Sequence, residues 1–300
     1  MVLAAAEGEV ATVRAFNRTV AERIGALTDV FLGRGRPMAE SRILWEIGQS
    51  PSLELRELRA RLGLDSGYAT RVLKSLAADG LITISNTATD GRVRTLELTP
   101  AGQAEVAELD RRSEAVAASF LSPLSDAQRA RLVEAMRVVD LLLRASAISI
   151  DVEDPTSADA RWCIGEYFAE LNRRFEAGFD PAQSIPADAD ELVRPAGLLL
   201  IARLRGAPVG CGALKFHADA PAELKRMWVA PQARGLGLGR RLLQALEHQA
   251  RDAGAWTIHL ETNRSLGEAI SLYRASGYRE VEAFNQEPYA HHWFEKSLSS

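Results

Sequence analysis

Val229-Ala-Pro-Gln-Ala-Arg234-Gly235-Leu236-Gly237-Leu238-Gly239-Arg240-Arg241-Leu242-Leu243 is the stretch that decides how the second half of this 300-residue chain folds. It leaves a β-type run, Glu223-Leu-Lys-Arg-Met-Trp-Val229, and enters an amphipathic helix with Leu242, Leu243, Leu246 and Ala250 on one side. Three glycines at every second position leave the backbone bare where it turns, so its N–H groups can converge on one point. A helix N-terminus adds partial positive charge there, and Arg234 and Arg240 add full charges. The combination suits a pyrophosphate, although one Gly-x-Gly alone reads equally well as an ordinary turn.

Context narrows the nucleotide. A triphosphate-binding P-loop needs Gly-Lys-Ser/Thr at its end, and none follows these glycines. A dinucleotide fold puts its glycines after the first strand of a βαβ unit, whereas these come late. Behind them run a strand (Trp256 to Glu261), Thr262-Asn263, a helix with Ala269, Leu272 and Tyr273, and Gly277-Tyr278. On these residues the chain resembles the GNAT superfamily of acyl-CoA N-acyltransferases. The superfamily motif Arg/Gln-x-x-Gly-x-Gly/Ala is matched by Arg234-Gly235-Leu236-Gly237-Leu238-Gly239, with Asn263, Tyr273 and Gly277 behind it. The resemblance implies an α/β (α+β) domain over 148–300 with a mixed, mostly antiparallel sheet, acetyl-CoA as co-substrate and no metal. Strands are expected near 148–152, 197–204, 208–216, 223–229, 256–262, 278–283 and 289–296, and helices near 157–175, 236–252 and 265–275. The cofactor contacts it implies are Met227, Trp228, Val229, Arg234, Gly235, Leu236, Gly237, Leu238, Gly239, Arg240, Asn263, Ala269 and Tyr273.

The same resemblance implies that the fourth and fifth strands splay, freeing the main chain of Met227-Trp228-Val229 for the pantetheine arm and the thioester carbonyl. A plain buried central strand is the other reading. An amine of pKa about 10 is protonated at neutral pH, so a base is required. Glu223 opens the fourth strand and alternates onto the face of Lys225 and Met227, a place where the resemblance implies a carboxylate acting as base directly or through water. Glu261 is a second candidate; either is otherwise a strand-end carboxylate paired with Lys225 or Arg226. The resemblance makes Tyr273 the acid that protonates the leaving thiolate, against a packing role, and gives Asn263 a hydrogen bond to the cofactor arm. Cys163 and Cys211 offer a route through an acyl-cysteine, but free cysteine more often serves as a small buried hydrophobe, so direct amine attack in a ternary complex is preferred. Tyr289, His291, His292 and Trp293 are candidates for the substrate pocket. The acceptor is a small primary amine or a protein lysine. Glu166 and Glu170 offer an acidic pocket edge, and the long loop from Gly178 to Pro195 is of a length that is usually functional.

The first half reads differently. Helical spacing of apolar residues recurs over Val10 to Phe31, Ser41 to Ile47, Leu53 to Leu62, Gly67 to Asp79, Ala101 to Phe120 and Ser125 to Leu143. Between Gly80 and Pro100 the period becomes two, which predicts a two-stranded hairpin with Asp90-Gly91 near its turn. Two helices around Gly63 followed by a hairpin make a winged helix-turn-helix. Ser66-Gly-Tyr68-Ala-Thr70-Arg71-Val-Leu-Lys74 and the wing Asp90-Gly91-Arg92-Val93-Arg94-Thr95-Leu96-Glu97-Leu98-Thr99-Pro-Ala-Gly102 resemble the MarR family of dimeric transcriptional regulators. That resemblance implies a mainly-α DNA-binding and dimerisation domain over 1–147, with pseudo-palindromic double-stranded DNA as partner. Ser66, Tyr68, Thr70, Arg71 and Lys74 stand in the first turns of the expected recognition helix, where side chains reach base edges and phosphates. Arg92, with Asp90 beside it and Arg94 behind, is placed to enter a minor groove. A solvated helix face is the plainer reading of Arg71 and Lys74.

Composition sets the limits. Residues 1–150 hold 19 basic and 19 acidic side chains and residues 151–300 hold 17 and 21, so a DNA role must come from local placement, not bulk charge. With no long apolar run, no secretory leader pattern and two cysteines, the chain is expected to be a reduced cytoplasmic protein without membrane contact. The reading these features favour is a multidomain, bifunctional homodimer: a transcriptional regulator fused to an acetyl-CoA-dependent N-acetyltransferase. Its rivals are a regulator whose second half only senses acetyl-CoA, and an acetyltransferase whose winged half only dimerises it.

Overall fold

The computed structural model describes residues 7–25, 31–87, 90–218 and 220–298, and of 86, 87 and 90–93 the backbone alone. Contacts divide the chain into two compact units, Met1–Glu134 and Ala135–Ser300. In the first, α1 (Glu7–Arg23) and α2 (Met38–Gly48) precede a short strand β1 (Leu53–Glu54), then α3 (Leu55–Leu62), α4 (Ser66–Ala78), the hairpin β2 (Ile82–Thr87) and β3 (Asp90–Leu98), and α5 (Pro100–Leu121). Helix α6 (Asp126–Ser146) follows, started by Ser125, whose N–H and hydroxyl both donate to Gln128 Oε1 while its Oγ accepts the Gln128 N–H.

The turn between α3 and α4 is built by two residues. Gly63 adopts the left-handed conformation (φ 63°) that ends α3, and the Asp65 carboxylate accepts the Tyr68 N–H at 2.9 Å to start α4. One expectation is corrected here. Leu53-Glu54 is a strand, not the first turn of a helix, and it pairs with Leu96 and Thr95, so the wing is a three-stranded sheet in the order β1-β3-β2. The apolar spacing hid this because Leu53 is fully buried whichever way the segment is read; it packs with Leu44, Leu58, Leu76 and Leu96 in the core of this unit.

The second unit has a seven-stranded sheet in the order β4-β5-β6-β7-β8-β10-β9, antiparallel throughout except between β7 and β8. Its strands are β4 (Ile148–Glu153), β5 (Gly197–Leu204), β6 (Ala207–Lys215), β7 (Ala222–Val229), β8 (Thr257–Thr262), β9 (Arg279–Val281) and β10 (His292–Ser297); its helices are α7 (Ala158–Arg174), α8 (Leu238–Asp252) and α9 (Gly267–Ala275). Leu242, Leu243, Leu246 and Ala250 make one fully buried stripe of α8, as its sequence period requires. Helix α7 starts on Ser157, whose hydroxyl accepts the Ala160 N–H at 3.1 Å. Among the described residues no helix is long and apolar enough to cross a membrane, and no group of three or more His, Cys, Asp or Glu is placed to hold a metal.

Candidate functional site

The site grows from two irregularities of β7. Its parallel pairing with β8 is confined to Ala222 and Glu223, so from Leu224 onward the edge of β7 that faces β8 has no strand on it. On its other edge the register against β6 slips: Cys211 faces Trp228 and Ala213 faces Lys225, leaving Arg226 and Met227 opposite Gly212 alone. This is a β-bulge, and Arg226 takes the left-handed conformation within it (φ 57°). Gly212 lies across from it, where a Cβ would press on the Leu246 and Met227 side chains, at 2.7 Å from Leu246 Cδ1 and 3.2 Å from Met227 Sδ.

Beyond Val229 the chain turns through Gly235 (φ 78°) and Gly237 (φ 71°), the latter capping α8. A cleft of about 620 Å³ opens at this point. Met227, Trp228, Val229, Arg234, Gly235, Gly237, Leu238, Gly239, Arg240 and Ala269 line it; Leu236 turns into the core instead. The two arginines differ. Arg234 folds back, its Nε donating to Val229 O (3.1 Å) and its Nη2 to Glu170 (2.5 Å), whereas Arg240 is exposed and forms no hydrogen bond or ion pair among the described residues. Glu170, expected on an acidic pocket edge, is buried and committed to Arg234, Arg174 and the Trp228 indole N–H.

A second cavity of about 90 Å³ adjoins the cleft at Met227 and Ala269. Tyr273 and Asn263 lie on this one. Burial pushes the phenols of Tyr273 and Tyr167 above the ordinary tyrosine value. Asn263 is engaged internally, donating to Tyr289 O (2.8 Å) and accepting the Ser265 N–H (2.9 Å), so it shapes the end of β8. Of the two base candidates, Glu261 lines the cavity and Glu223 does not. They are joined through Lys225, whose ammonium lies 2.5 Å from Glu261 and 3.2 Å from Glu223; Glu223 also meets His217 at 3.3 Å. The two carboxylates raise the Lys225 ammonium against the opposing effect of burial.

The loop after α7 supplies Phe179, Ser184, Ile185 and Ala187 to the cavity wall, and Phe175 and Tyr289 complete an aromatic side. His291, His292 and Trp293 lie off the cavity; His292 pairs with Glu280 (2.6 Å) and the Trp293 indole donates to Asn285. Cys163 and Cys211 are fully buried and line neither space. Two residues that the sequence reading did not place at the site also line the cavity: Arg226, weighed there only as a partner for Glu223 or Glu261, and Glu287. Their signal was weak, since one is hidden in a strand-like run and the other in the irregular segment before Pro288.

In the winged unit, Ser66, Arg71 and Lys74 are exposed along α4, with Tyr68 and Thr70 half-buried beside them. The Arg71 guanidinium stacks on the Tyr68 ring at 5.2 Å, and the Thr70 hydroxyl donates to Ser66 O within the helix. Arg94 is exposed on β3; the side chains of Asp90 and Arg92 fall outside the described residues.

The Acetyltransferase (GNAT) family profile matches residues 165–278 and the MarR family profile residues 37–93. Over 122 residues, 40% of this chain, the sequence is 41% identical to the IAA acetyltransferase of Azospirillum brasilense, 80% of which is covered. This chain belongs to the GNAT acetyltransferases. It is also 32% identical over 129 residues to the N-alpha-acetyltransferase RimI of Mycobacterium tuberculosis, covering 76% of that protein. Streptococcus pneumoniae FabT in complex with DNA aligns with 45% of this chain and 94% of that one, at 20% identity and a TM-score of 0.37.

GNAT acetyltransferases use acetyl-CoA, and the cleft of this one fits it. The positive-φ glycines admit close approach of phosphate oxygens. The first N–H groups of α8 have no partner in their own helix, and the open edge of β7 leads from them to the bulge. The acetyltransferase half is preceded in sequence by a winged unit whose residues 37–93 match the MarR family profile, with Arg71 and Lys74 exposed on α4.

Proposed function

We propose that residues 148–300 transfer an acetyl group from acetyl-CoA to a primary amine by direct attack, and that residues 1–147 bind a pseudo-palindromic DNA site as a homodimer. The observation that carries the first half is the meeting of cleft and cavity at Met227, which lines both spaces at the bulge. Gly235 to Arg240 would hold the pyrophosphate, and the unpaired edge of Met227-Trp228-Val229 would take the pantetheine arm. The thioester supplies the acetyl group. The Met227 main chain at the bulge would orient its carbonyl, and the amine would approach from the side of Glu261. Its proton would leave towards the Glu261–Lys225–Glu223 cluster, in which Glu261 is the member on the cavity and Glu223 the outer link. Tyr273, kept protonated by burial, would give its proton to the departing sulfur. Asn263 would act by fixing the wall at Tyr289.

The exposed Arg71 and Lys74 on α4, with Ser66 at its start, support DNA contact; Asp90, Arg92 and Arg94 would serve the wing. The features fit a cytoplasmic protein. The test is acetyl-CoA consumption by the purified chain across a panel of amines and lysine peptides, with mass spectrometry of the product. An acetylated amine is expected, and binding of acetyl-CoA without transfer to any acceptor would leave a sensor.

A further inference from the structure

We propose that the acceptor is a zwitterionic amino acid with an apolar or aromatic side chain, its carboxylate held by Arg226 and its ammonium by Glu287. This rests on the acetyltransferase reading above and narrows it. Apart from the exposed Arg240 on the cleft, the other cations that line the two spaces are matched: Lys225 has two carboxylates, Arg174 two and Arg234 one. Arg226 has none among the described residues. Its guanidinium carbon stands 4.5 Å from the Phe168 ring centre, Nη2 donates to Ala187 O at 3.3 Å, and Nε is buried without an acceptor. A guanidinium carries five N–H donors in a fixed fork, so most of this one is unspent among the described residues, and Arg226 is one of the residues lining the cavity. The protein holds it there in a left-handed conformation that a non-glycine side chain rarely adopts.

Glu287 is the opposite case on the same cavity. It is buried, and its oxygens accept from the Ser184 hydroxyl (2.9 Å), the Ile185 N–H (2.7 Å) and the Tyr289 N–H (3.2 Å), all neutral donors. No cation among the described residues pairs with it, and it makes no ion pair with Arg226. Of the charged residues that line the cavity, Arg226 and Glu287 are thus the two without an oppositely charged partner among the described residues. A simple amine or a protein lysine answers Glu287 and leaves Arg226 unmatched; a zwitterion answers both. Phe175, Phe179 and Tyr289 supply an apolar wall for its side chain. Arg226 also directly precedes Met227, so a carboxylate anchored there keeps the amine beside the acyl carbonyl.

The chemistry balances with the groups present. The ammonium loses one proton before attack, the nitrogen lone pair forms the N–C bond as the C–S bond breaks, and the amide nitrogen sheds a second proton. One proton passes to the thiolate by way of Tyr273, and the other leaves to water by way of Glu261.

The experiment compares kcat/KM for matched acceptors on the purified full chain: phenylalanine and leucine, their carboxamides, and the corresponding decarboxylated amines. The free acids are expected to exceed their carboxamides by roughly 10²-fold or more, because a site built for a charged group rejects the analogue lacking it. In Arg226→Gln that ratio is expected to fall to within about threefold of unity, and Arg226→Lys to keep part of it. Calorimetric titration with acetyl-CoA checks that the bulge survives in each variant; if it does not, the wild-type ratio alone decides. Carboxamides or amines accepted as well as the acids, or an unchanged ratio in an Arg226→Gln that still binds acetyl-CoA, would overturn the proposal. Transfer to none of these and none of a set of polyamines and lysine peptides would instead overturn the acetyltransferase reading itself.

Discussion

Tyr273 packs against Tyr278 and Phe294, and its burial fixes what it can contribute. Because its folded pKa lies above the ordinary phenol value of about 10, the proton is present through the neutral range and is lost only at higher pH. Activity should therefore rise with pH as the acceptor amine deprotonates, with no loss up to about pH 9 from ionisation of the phenol. Tyr273→Phe should lower kcat by roughly 10²-fold while leaving acetyl-CoA affinity within a few-fold; equal loss in both, read by steady-state kinetics and calorimetry, would mean the ring only packs. The carboxylates separate in the same way. Glu261→Gln should cost more in kcat than Glu223→Gln, since only Glu261 borders the cavity. The glycines and arginines that line the cleft were legible as a group because glycines at that spacing before an amphipathic helix have few other uses. The partnering of charges was not legible: that Arg234 is tied to Glu170 while Arg226 is unmatched depends on contacts across 64 residues and on a bulge.

At the scale of elements, the helices and most strands follow from period and caps, because each signal is local: Asp65 before α4, Thr99 before α5, Ser157 before α7. What escaped was pairing. Strand β1 and the slip between β6 and β7 are properties of register, and register is set by the partner strand. The segment Thr99-Pro-Ala-Gly102, which carries the family resemblance, has a structural cause. The Thr99 hydroxyl accepts the Gly102 N–H at 3.0 Å and donates to Gly80 O at 2.6 Å, tying α5 to the turn after α4. A Cβ at Gly102 would come within 2.0 Å of Leu81 O, a backbone atom that cannot step aside. Gly102→Ala should thus destabilise the winged unit by about 1–3 kcal/mol or displace α5, read as a lowered melting transition with acetyl-CoA affinity unchanged. The glycine turn before α8 makes the converse prediction. A Cβ at Gly237 meets nothing within 4 Å, yet φ is 71°, so Gly237→Ala should cost about 1–2 kcal/mol in backbone strain, and Gly237→Glu should in addition abolish acetyl-CoA binding by filling the phosphate seat with like charge. Calorimetry showing unchanged affinity in Gly237→Glu would remove the assignment of that turn.

For the molecule as a whole, the question is whether the winged half reads DNA or only joins two copies. Helix α1 buries none of its residues and leaves Val10, Val13 and Phe16 exposed, an apolar side that the α1 helices of two copies would cover. A dimer formed through these helices would give two copies of α4, and targets with half-sites about one helical turn apart should be preferred. Affinity should fall steeply with salt, because Arg71, Lys74, Arg92 and Arg94 would displace phosphate counterions at roughly 0.9 each in the log–log slope. Arg92→Ala should weaken binding more than Arg56→Ala on α3, since only the wing has a minor groove to enter. Fluorescence anisotropy on the DNA flanking the encoding gene, against random duplex, measures all three. Linkage adds a stricter condition: if acetyl-CoA shifts DNA affinity by some factor, the operator must shift acetyl-CoA affinity by the same factor. Reciprocal factors would make the chain a regulator that responds to its own co-substrate. Equal affinity for operator and random duplex, with and without acetyl-CoA, would leave the winged half as a dimerisation module and confine the function to the acetyltransferase.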